Sequence, residues 1–161
     1  MLTTAQAWDI LARVPDPEIP AISVTELGIV RDVQAADEGV DVVVTPTYSG
    51  CPATEVIERS IREALSAAGA RDVRVRQQLS PAWSTDWIAE DARERLRAYG
   101  IAPPGERPMG GAQPLSFVPR VSCPRCGSAD TERLSQFGST ACKALYRCRA
   151  CREPFEYFKP L

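Results

Sequence analysis

Four cysteines in the last third of the sequence have the spacing of metal ligands. Cys123 and Cys126 form one Cys-x-x-Cys pair, and Cys148 and Cys151 form a second. Two residues between thiolates allow one tight turn to aim both sulfurs at one ion, and two such turns complete a tetrahedron. The spacing predicts a zinc-ribbon-like domain over 121–161 with structural zinc. An iron or iron–sulfur site and a redox disulfide are the alternatives.

Cys142 and three aromatic residues of the same segment each have two interpretations. Cys142 either replaces one of the four ligands or packs in the strand that contains it. Phe155, Tyr157 and Phe158 either contact a partner or cover a thin core. A module of about 40 residues buries little apolar surface, so bound metal would supply much of its folding free energy.

Cys51, the sixth cysteine, has a position typical of a helix amino terminus. It follows a β-like segment and precedes Pro52, the predicted first residue of a helix. The positive end of the helix dipole would stabilise a thiolate there. The carboxylates that could converge with this thiol are Asp16, Glu18 and Glu26. In the alternative interpretation, Asp16 and Glu26 cap turns and the cysteine is buried filler.

The sequence contains no histidine. Its absence excludes Ser-His and Cys-His nucleophile pairs, histidine-containing zinc hydrolases and the Glu-x-x-His motifs of di-iron sites. Any chemistry must therefore use thiols, carboxylates or a borrowed cofactor. A thiol enzyme built on Cys51 lacks a visible general base, and no catalytic residue is predicted.

Charge is distributed unevenly along the 161 residues. Residues 1–119 carry 11 basic and 17 acidic side chains, whereas residues 120–161 carry 8 and 4. Four thiolates on a divalent ion would leave the second segment at about +2, too little for a nucleic-acid-binding surface. No apolar run reaches the roughly 18 residues of a membrane span, and no export signal begins the sequence. We expect a cytoplasmic protein that binds neither nucleic acid nor membrane.

The hydrophobic pattern predicts an α+β domain that positions Cys51 and the carboxylates. A helix capped by Thr4 precedes a hairpin of two strands that starts at Leu27, and a second helix follows Cys51. A third strand follows, with alternating apolar residues from Val73 to Leu79. The order helix, strand, strand, helix, strand suits helices packed on one side of a sheet.

A further helix and a linker complete the predicted organisation. The helix is predicted from Asp86 to Tyr99, with Gly100 as its stop. Residues 101–120 contain five of the 14 prolines, which indicates an extended linker. The predicted domains are therefore 1–100, 101–120 and 121–161.

Two motifs around the carboxylates and Cys51 resemble a known family. The runs DPEIPAISVTELGIVRDV and VDVVVTPTYSGCP are similar to the DPE-(I/L)-P start, the acidic-Leu-Gly turn and the Thr-to-Cys-Pro segment of SufT-like iron–sulfur cluster assembly factors. Glu26 stands in the turn where aspartate is commoner. The resemblance implies that Cys51, with Asp16, Glu18 and Glu26, forms a transient site for metal or sulfur.

Nearly the whole chain resembles the D-subunit family of the phenylacetyl-CoA epoxidase (phenylacetate-CoA oxygenase) system. The likeness combines the SufT-like domain, the GIAPP segment and the run FGSTACKALYRCRACREPFEYFKP. It implies a non-catalytic accessory subunit in aerobic phenylacetate degradation that assists assembly or repair of an iron–sulfur or di-iron centre. The alternative is a structural or interaction subunit that transfers no metal.

The same resemblance implies partners and cofactors. The partners are the other subunits of the oxygenase, including the di-iron and reductase subunits, and the sequence is also compatible with a homodimer. The cofactors are structural zinc and a transient iron or iron–sulfur cluster.

Overall fold

The valine-rich segment before Cys51 is the central strand of a three-stranded sheet in this computed structural model. The structure describes residues 1–36, 39–105 and 120–161. Strand β1 (Val30–Ala36) pairs antiparallel with β2 (Gly39–Val44), and β3 (Asp72–Gln77) pairs parallel with the other edge of β2. The predicted hairpin is present, but its first strand begins three residues after Leu27.

Two helices pack against this sheet and against each other. Helix α1 (Thr4–Leu11) contacts β1, and α2 (Ala53–Ala67) contacts β3. The cap of α1 is Thr3 and not Thr4, because the Thr3 side chain accepts a hydrogen bond from Gln6 N (3.2 Å) while the Gln6 side chain accepts one from Thr3 N (2.9 Å). The buried side chains of α2 recur at helical spacing, at Ala53, Ile57, Ile61 and Leu65.

The last helix is shorter than predicted. The sequence predicts it from Asp86, whereas a single 3-10 turn (Thr85–Trp87) comes first and α3 is Glu90–Tyr99. Ala89 N donates to Glu26 O (2.9 Å). This N–H group, just before α3, therefore makes a tertiary hydrogen bond and not a helical one. The contact overrides the local helix propensity, which is a weak determinant.

Gly28 occupies a backbone position that leaves no room for a side chain. Its φ is +72°, and a Cβ placed on it would lie 2.6 Å from Trp87 Cβ. Trp83 Nε1 donates to Leu27 O (2.9 Å) and holds the same turn. We expect Gly28→Ala to lower the free energy of unfolding by about 2–3 kcal/mol, because backbone strain and steric overlap add.

Urea unfolding followed by tryptophan fluorescence measures this loss. Gly69→Ala is the matched control, because Gly69 has a φ of +102° but no atom within 4 Å of the added Cβ. It should lose only the strain, about 1 kcal/mol. Equal losses in the two variants would contradict the overlap with Trp87.

A second sheet forms later in the chain, and Cys148 is the one tail cysteine on its strands. Its strands are β4 (Ile101–Ala102), β5 (Thr131–Ser135), β6 (Lys143–Cys148) and β7 (Pro154–Phe158), in the order β4-β7-β6-β5. The pairs β5–β6 and β6–β7 are antiparallel, and β4 runs parallel to β7. Its buried cluster comprises Ala102, Val121, Cys123, Ala144, Tyr146, Cys148, Phe155 and Tyr157.

The aromatic residues near residue 155 belong to this core. Phe155, Tyr157 and Phe158 are all buried. The Tyr146 ring stacks on Phe155, with centroids 5.8 Å apart, and meets Tyr157 edge-on at 5.6 Å. Of the two interpretations, the structure supports the one in which these side chains cover the core.

The predicted linker starts too early. Ile101 and Ala102 are buried and pair with β7, so they belong to the second sheet. Two apolar residues between Gly100 and a Pro-Pro pair are too short a run to predict a strand. Residues 106–119 of the predicted linker lie outside the described residues.

Packing divides the chain into a first unit, Met1–Ala92, and a second unit, Arg93–Leu161, whereas the sequence predicts a boundary at residue 100. Arg93 Nη1 donates to Pro104 O (3.0 Å), which joins α3 to the segment that follows β4. No helix in the described ranges is long and apolar enough to cross a membrane.

Candidate functional site

The sulfurs of the four predicted metal ligands converge. The Sγ atoms of Cys123, Cys126, Cys148 and Cys151 all lie within 4.8 Å of one another. Cys123 and Cys151 are separated by 3.8 Å, and Cys126 and Cys148 by 3.5 Å. Zinc bound to four thiolates at about 2.3 Å in a tetrahedron holds the sulfurs about 3.8 Å apart. The donor set and its spacing therefore fit zinc.

Two turns with the same backbone geometry aim these sulfurs. In each turn the first cysteine donates its N–H to the carbonyl five residues later, at 2.9 and 3.0 Å. The residue after each pair is left-handed, with φ of 77° at Gly127 and 65° at Arg152. Glycine adopts this conformation freely, whereas for arginine it costs about 1–2 kcal/mol. The second turn therefore has the same backbone geometry as the first, but its left-handed residue, Arg152, bears a conformational strain that Gly127 does not.

The thiols of the cluster differ in acidity. The pKa of Cys148 is lowered to about 7, chiefly because the Cys151 N–H donates to its sulfur (3.5 Å). The Glu153 N–H lowers the pKa of Cys151, but desolvation and the neighbouring thiols outweigh it and raise the pKa to about 12. A bound divalent cation removes this penalty, because it stabilises four adjacent thiolates.

Cys142 lies outside the cluster. Its side chain is buried, and its sulfur is 3.0 Å from Thr140 Oγ1. The group of four sulfurs does not include it. The structure supports the interpretation in which Cys142 packs beside its strand.

The carboxylates of the first unit hold local turns. Asp16 Oδ1 accepts hydrogen bonds from the N–H groups two and three residues later, at 2.9 and 2.8 Å, and Glu26 Oε2 accepts one from Ser23 N (2.8 Å). Within the described ranges, the one cluster of three or more thiols and carboxylates that could share an ion is that of the tail cysteines. The grouping of Asp16, Glu18 and Glu26 with Cys51 stays a prediction.

Cys51 lies in the turn that leads into α2. Its N–H donates to Tyr48 O (3.3 Å), and its carbonyl accepts from Thr54 N (3.1 Å). Pro52 is the cap and Ala53 the first helical residue, so the helix begins one residue later than predicted. All six cysteines are described, and Cys51 is the one outside the metal cluster with a partly exposed side chain.

Thr45 is a residue that the sequence analysis missed. Its backbone N–H donates to Ile29 O (2.8 Å), but its buried hydroxyl has no hydrogen-bond partner among the described atoms. It follows β2 on the segment that leads to Cys51. A buried hydroxyl normally has a partner, so this one is an exception in the first part of the chain. In the sequence, a threonine after a run of valines looks like an ordinary strand residue.

Comparison with known proteins recognises both parts of the chain. Residues 4–76 match the model of the iron-sulfur cluster assembly protein family, and residues 112–159 match the PaaD zinc beta ribbon domain. Over 96% of its length the chain is 54% identical to the Escherichia coli (strain K12) protein assigned as the D-subunit of 1,2-phenylacetyl-CoA epoxidase, and it covers 91% of that protein. The chain belongs to the D-subunit family of phenylacetyl-CoA epoxidase.

Other proteins resemble somewhat more than half of this D-subunit family member. It is 34% identical to the Fe-S protein maturation auxiliary factor of Porphyromonas gingivalis, over 54% of this chain and 84% of that one. A DUF59 domain from Bacillus anthracis superposes with a TM-score of 0.55 at 26% identity, covering 58% of this chain and 91% of that domain. A conserved hypothetical protein from Thermotoga maritima superposes with a TM-score of 0.51 at 29% identity, covering 59% of this chain and 94% of that protein. The predicted α+β fold with a SufT-like domain and a zinc ribbon is confirmed.

The matches also bear on the cofactors of this D-subunit family member. The ribbon match and the four-sulfur cluster support structural zinc. The match to the assembly family fits a transient iron–sulfur cluster.

Proposed function

We propose that the chain is a non-catalytic accessory subunit that assists assembly or repair of a metal centre of phenylacetyl-CoA epoxidase. One observation carries the proposal: a single chain joins an iron–sulfur assembly domain, with a partly exposed thiol at Cys51, to the zinc ribbon of the D-subunit family. The iron or sulfur is cargo in this proposal, whereas the zinc is resident.

Two features of the first unit support Cys51 as the transient ligand. A ligand that receives and releases cargo must be accessible, and Cys51 is partly exposed at a helix start. Thiolates are preferred ligands of iron and of iron–sulfur clusters. Asp16, Glu18 and Glu26 complete the proposed cargo site.

The ribbon has a structural role in this proposal. Four thiolates fill all four positions of tetrahedral zinc, and a catalytic zinc needs one open position. With no histidine in the sequence, the chain also lacks the usual general base. The proposal therefore places the oxygenation chemistry on other, cytoplasmic subunits, including the di-iron and reductase subunits.

Cys51→Ser tests the cargo role. We expect the variant to keep its fold and its zinc, with a stability change within about 0.5 kcal/mol. A strain that carries it in place of the natural gene should lose growth on phenylacetate as the carbon source. The iron content of the epoxidase purified from that strain should fall in parallel.

Cys142→Ala is the matched control, because it removes another cysteine outside the metal cluster. This variant should support growth. Growth of the Cys51→Ser strain at the wild-type rate would contradict the cargo role and favour a purely structural subunit.

A further inference from the structure

A β-bulge turns Leu134 out of the second sheet. Arg133 lies opposite Tyr146, and Ser135 lies opposite Leu145, so Leu134 is the extra residue of β5. Bulges interrupt the ladder and redirect side chains. Leu134 is 50% exposed, on a strand that lies at the sheet edge.

Phe137 is held in place although it is 60% exposed. Its N–H donates to Ser135 Oγ (3.2 Å). Lys159 Nζ lies 4.5 Å from the ring centroid and donates to Gln136 O (3.0 Å). An aromatic side chain that is already ordered loses little conformational entropy when it binds a partner.

A buried ion pair fixes the backbone that presents this ring. Lys143 Nζ lies 2.9 Å from Glu156 Oε2, and the Lys143 side chain is 3% exposed. Glu156 Oε1 accepts from Ser139 N (2.7 Å). A Cβ on Gly138 would lie 2.7 Å from the same oxygen, so the loop contacts the carboxylate closely. The hydrogen bond from Ser139 N and the close approach of Gly138 to the carboxylate therefore restrict the backbone that follows Phe137.

A basic side chain accompanies each of the two apolar ones: Arg133 precedes Leu134 on β5, and Lys159 contacts Phe137. Arg133 is exposed and forms no ion pair in the described part of the chain. Residues 120–161 have 8 basic and 4 acidic side chains. An exposed apolar pair with basic neighbours complements an apolar pocket with an acidic border.

We propose that one surface of the second unit docks into an apolar pocket bordered by carboxylates on another subunit of the epoxidase. This surface, the ribbon patch, consists of Leu134, Phe137, Arg133 and Lys159. The inference rests on the proposed function, because the accessory role supplies the partner. Phe137 is the anchor, since fixed aromatic side chains dominate binding energy at interfaces.

Binding of the full-length, zinc-loaded chain to each purified epoxidase subunit tests the ribbon patch by titration calorimetry. Phe137→Ala should weaken binding to one subunit about 30-fold or more. Arg133→Glu should weaken binding to the same subunit and reduce the dependence of its affinity on salt. The controls are Leu79→Ala, which removes an equally exposed side chain from the first unit, and Arg120→Glu, which reverses another exposed charge. Zinc content and thermal unfolding should be unchanged in every variant.

Cys51→Ser separates docking from the proposed cargo role, since it should bind with wild-type affinity. If Phe137→Ala binds as tightly as wild type, the ribbon patch is refuted, while the cargo role still stands on its growth test. A wild-type chain that binds no subunit also refutes the patch. If the wild-type chain self-associates and Phe137→Ala does not, the ribbon patch binds a second copy of this chain, and the proposal is overturned.

Discussion

Replacing Cys148 with serine is expected to remove zinc and unfold the second sheet. Cys148 is fully buried, and its sulfur, one of the four in the cluster, is 3.5 Å from Cys126 Sγ. Four-cysteine zinc sites contribute about 10–16 kcal/mol of apparent binding free energy, which in small domains is also folding free energy. A core built around Tyr146 and Tyr157 is too small to compensate for that loss.

Metal analysis and near-ultraviolet circular dichroism of the tyrosines measure the effect in the full chain. Cys142→Ala is the control, because it removes a buried thiol that lies outside the group of four sulfurs. It should keep one zinc per chain and lose about 2 kcal/mol at most. Retention of one zinc and of the tyrosine signal by Cys148→Ser would refute the proposed ligand set.

Glu156→Gln is expected to destabilise the second unit by about 3 kcal/mol. The substitution leaves the ammonium of Lys143, whose side chain is 3% exposed, without a counter-charge. Lys143→Met should cost less, about 1 kcal/mol, because the Glu156 side chain is 23% exposed and keeps its bond from Ser139 N. The double variant should recover most of the loss, since it buries no unpaired charge.

Chemical unfolding at saturating zinc measures these differences. If Glu156→Gln and the double variant lose the same free energy of unfolding, the charge of Lys143 is not the cause of the loss.

The dependence of stability on acid pH provides a second measurement. Burial raises the pKa of Glu156, but the Ser139 hydrogen bonds and the Lys143 ammonium outweigh it and lower the pKa.

The sign of the acid effect follows from that lowered pKa. The contribution of the pair is present above the ordinary carboxyl pKa and is lost as pH falls through the depressed pKa of Glu156. The stability difference between wild type and Glu156→Gln should therefore shrink in acid and stay constant near neutral pH.

The zinc centre could be predicted from the sequence because its geometry is local. Two residues between cysteines determine each turn, and the two turns need only meet. The β1–β2 hairpin and the buried face of α2 were likewise predictable, because their apolar residues recur at strand and helix periods.

The features that the sequence did not reveal depend on distant contacts. Ala89 N bonds to Glu26 O and shortens the last predicted helix. Lys143 is buried where its ammonium pairs with Glu156, which lies diagonally across from it on the neighbouring strand β7. Lysine is almost never buried without a partner, so nothing local indicated its position.

The pairing of β4 with β7 bears on the order in which the strands of the second unit form. Ile101 lies opposite Glu156, so the chain must close a loop of roughly 55 residues before this pair forms. A strand of two residues forms few hydrogen bonds to offset the entropy lost in closing that loop. Strands β5, β6 and β7 pair with partners that are closer in sequence. We therefore expect β4 to join last, on a sheet that the metal has already organised. Until β4 pairs, the edge of β7 stays open to strands of other chains, which favours aggregation.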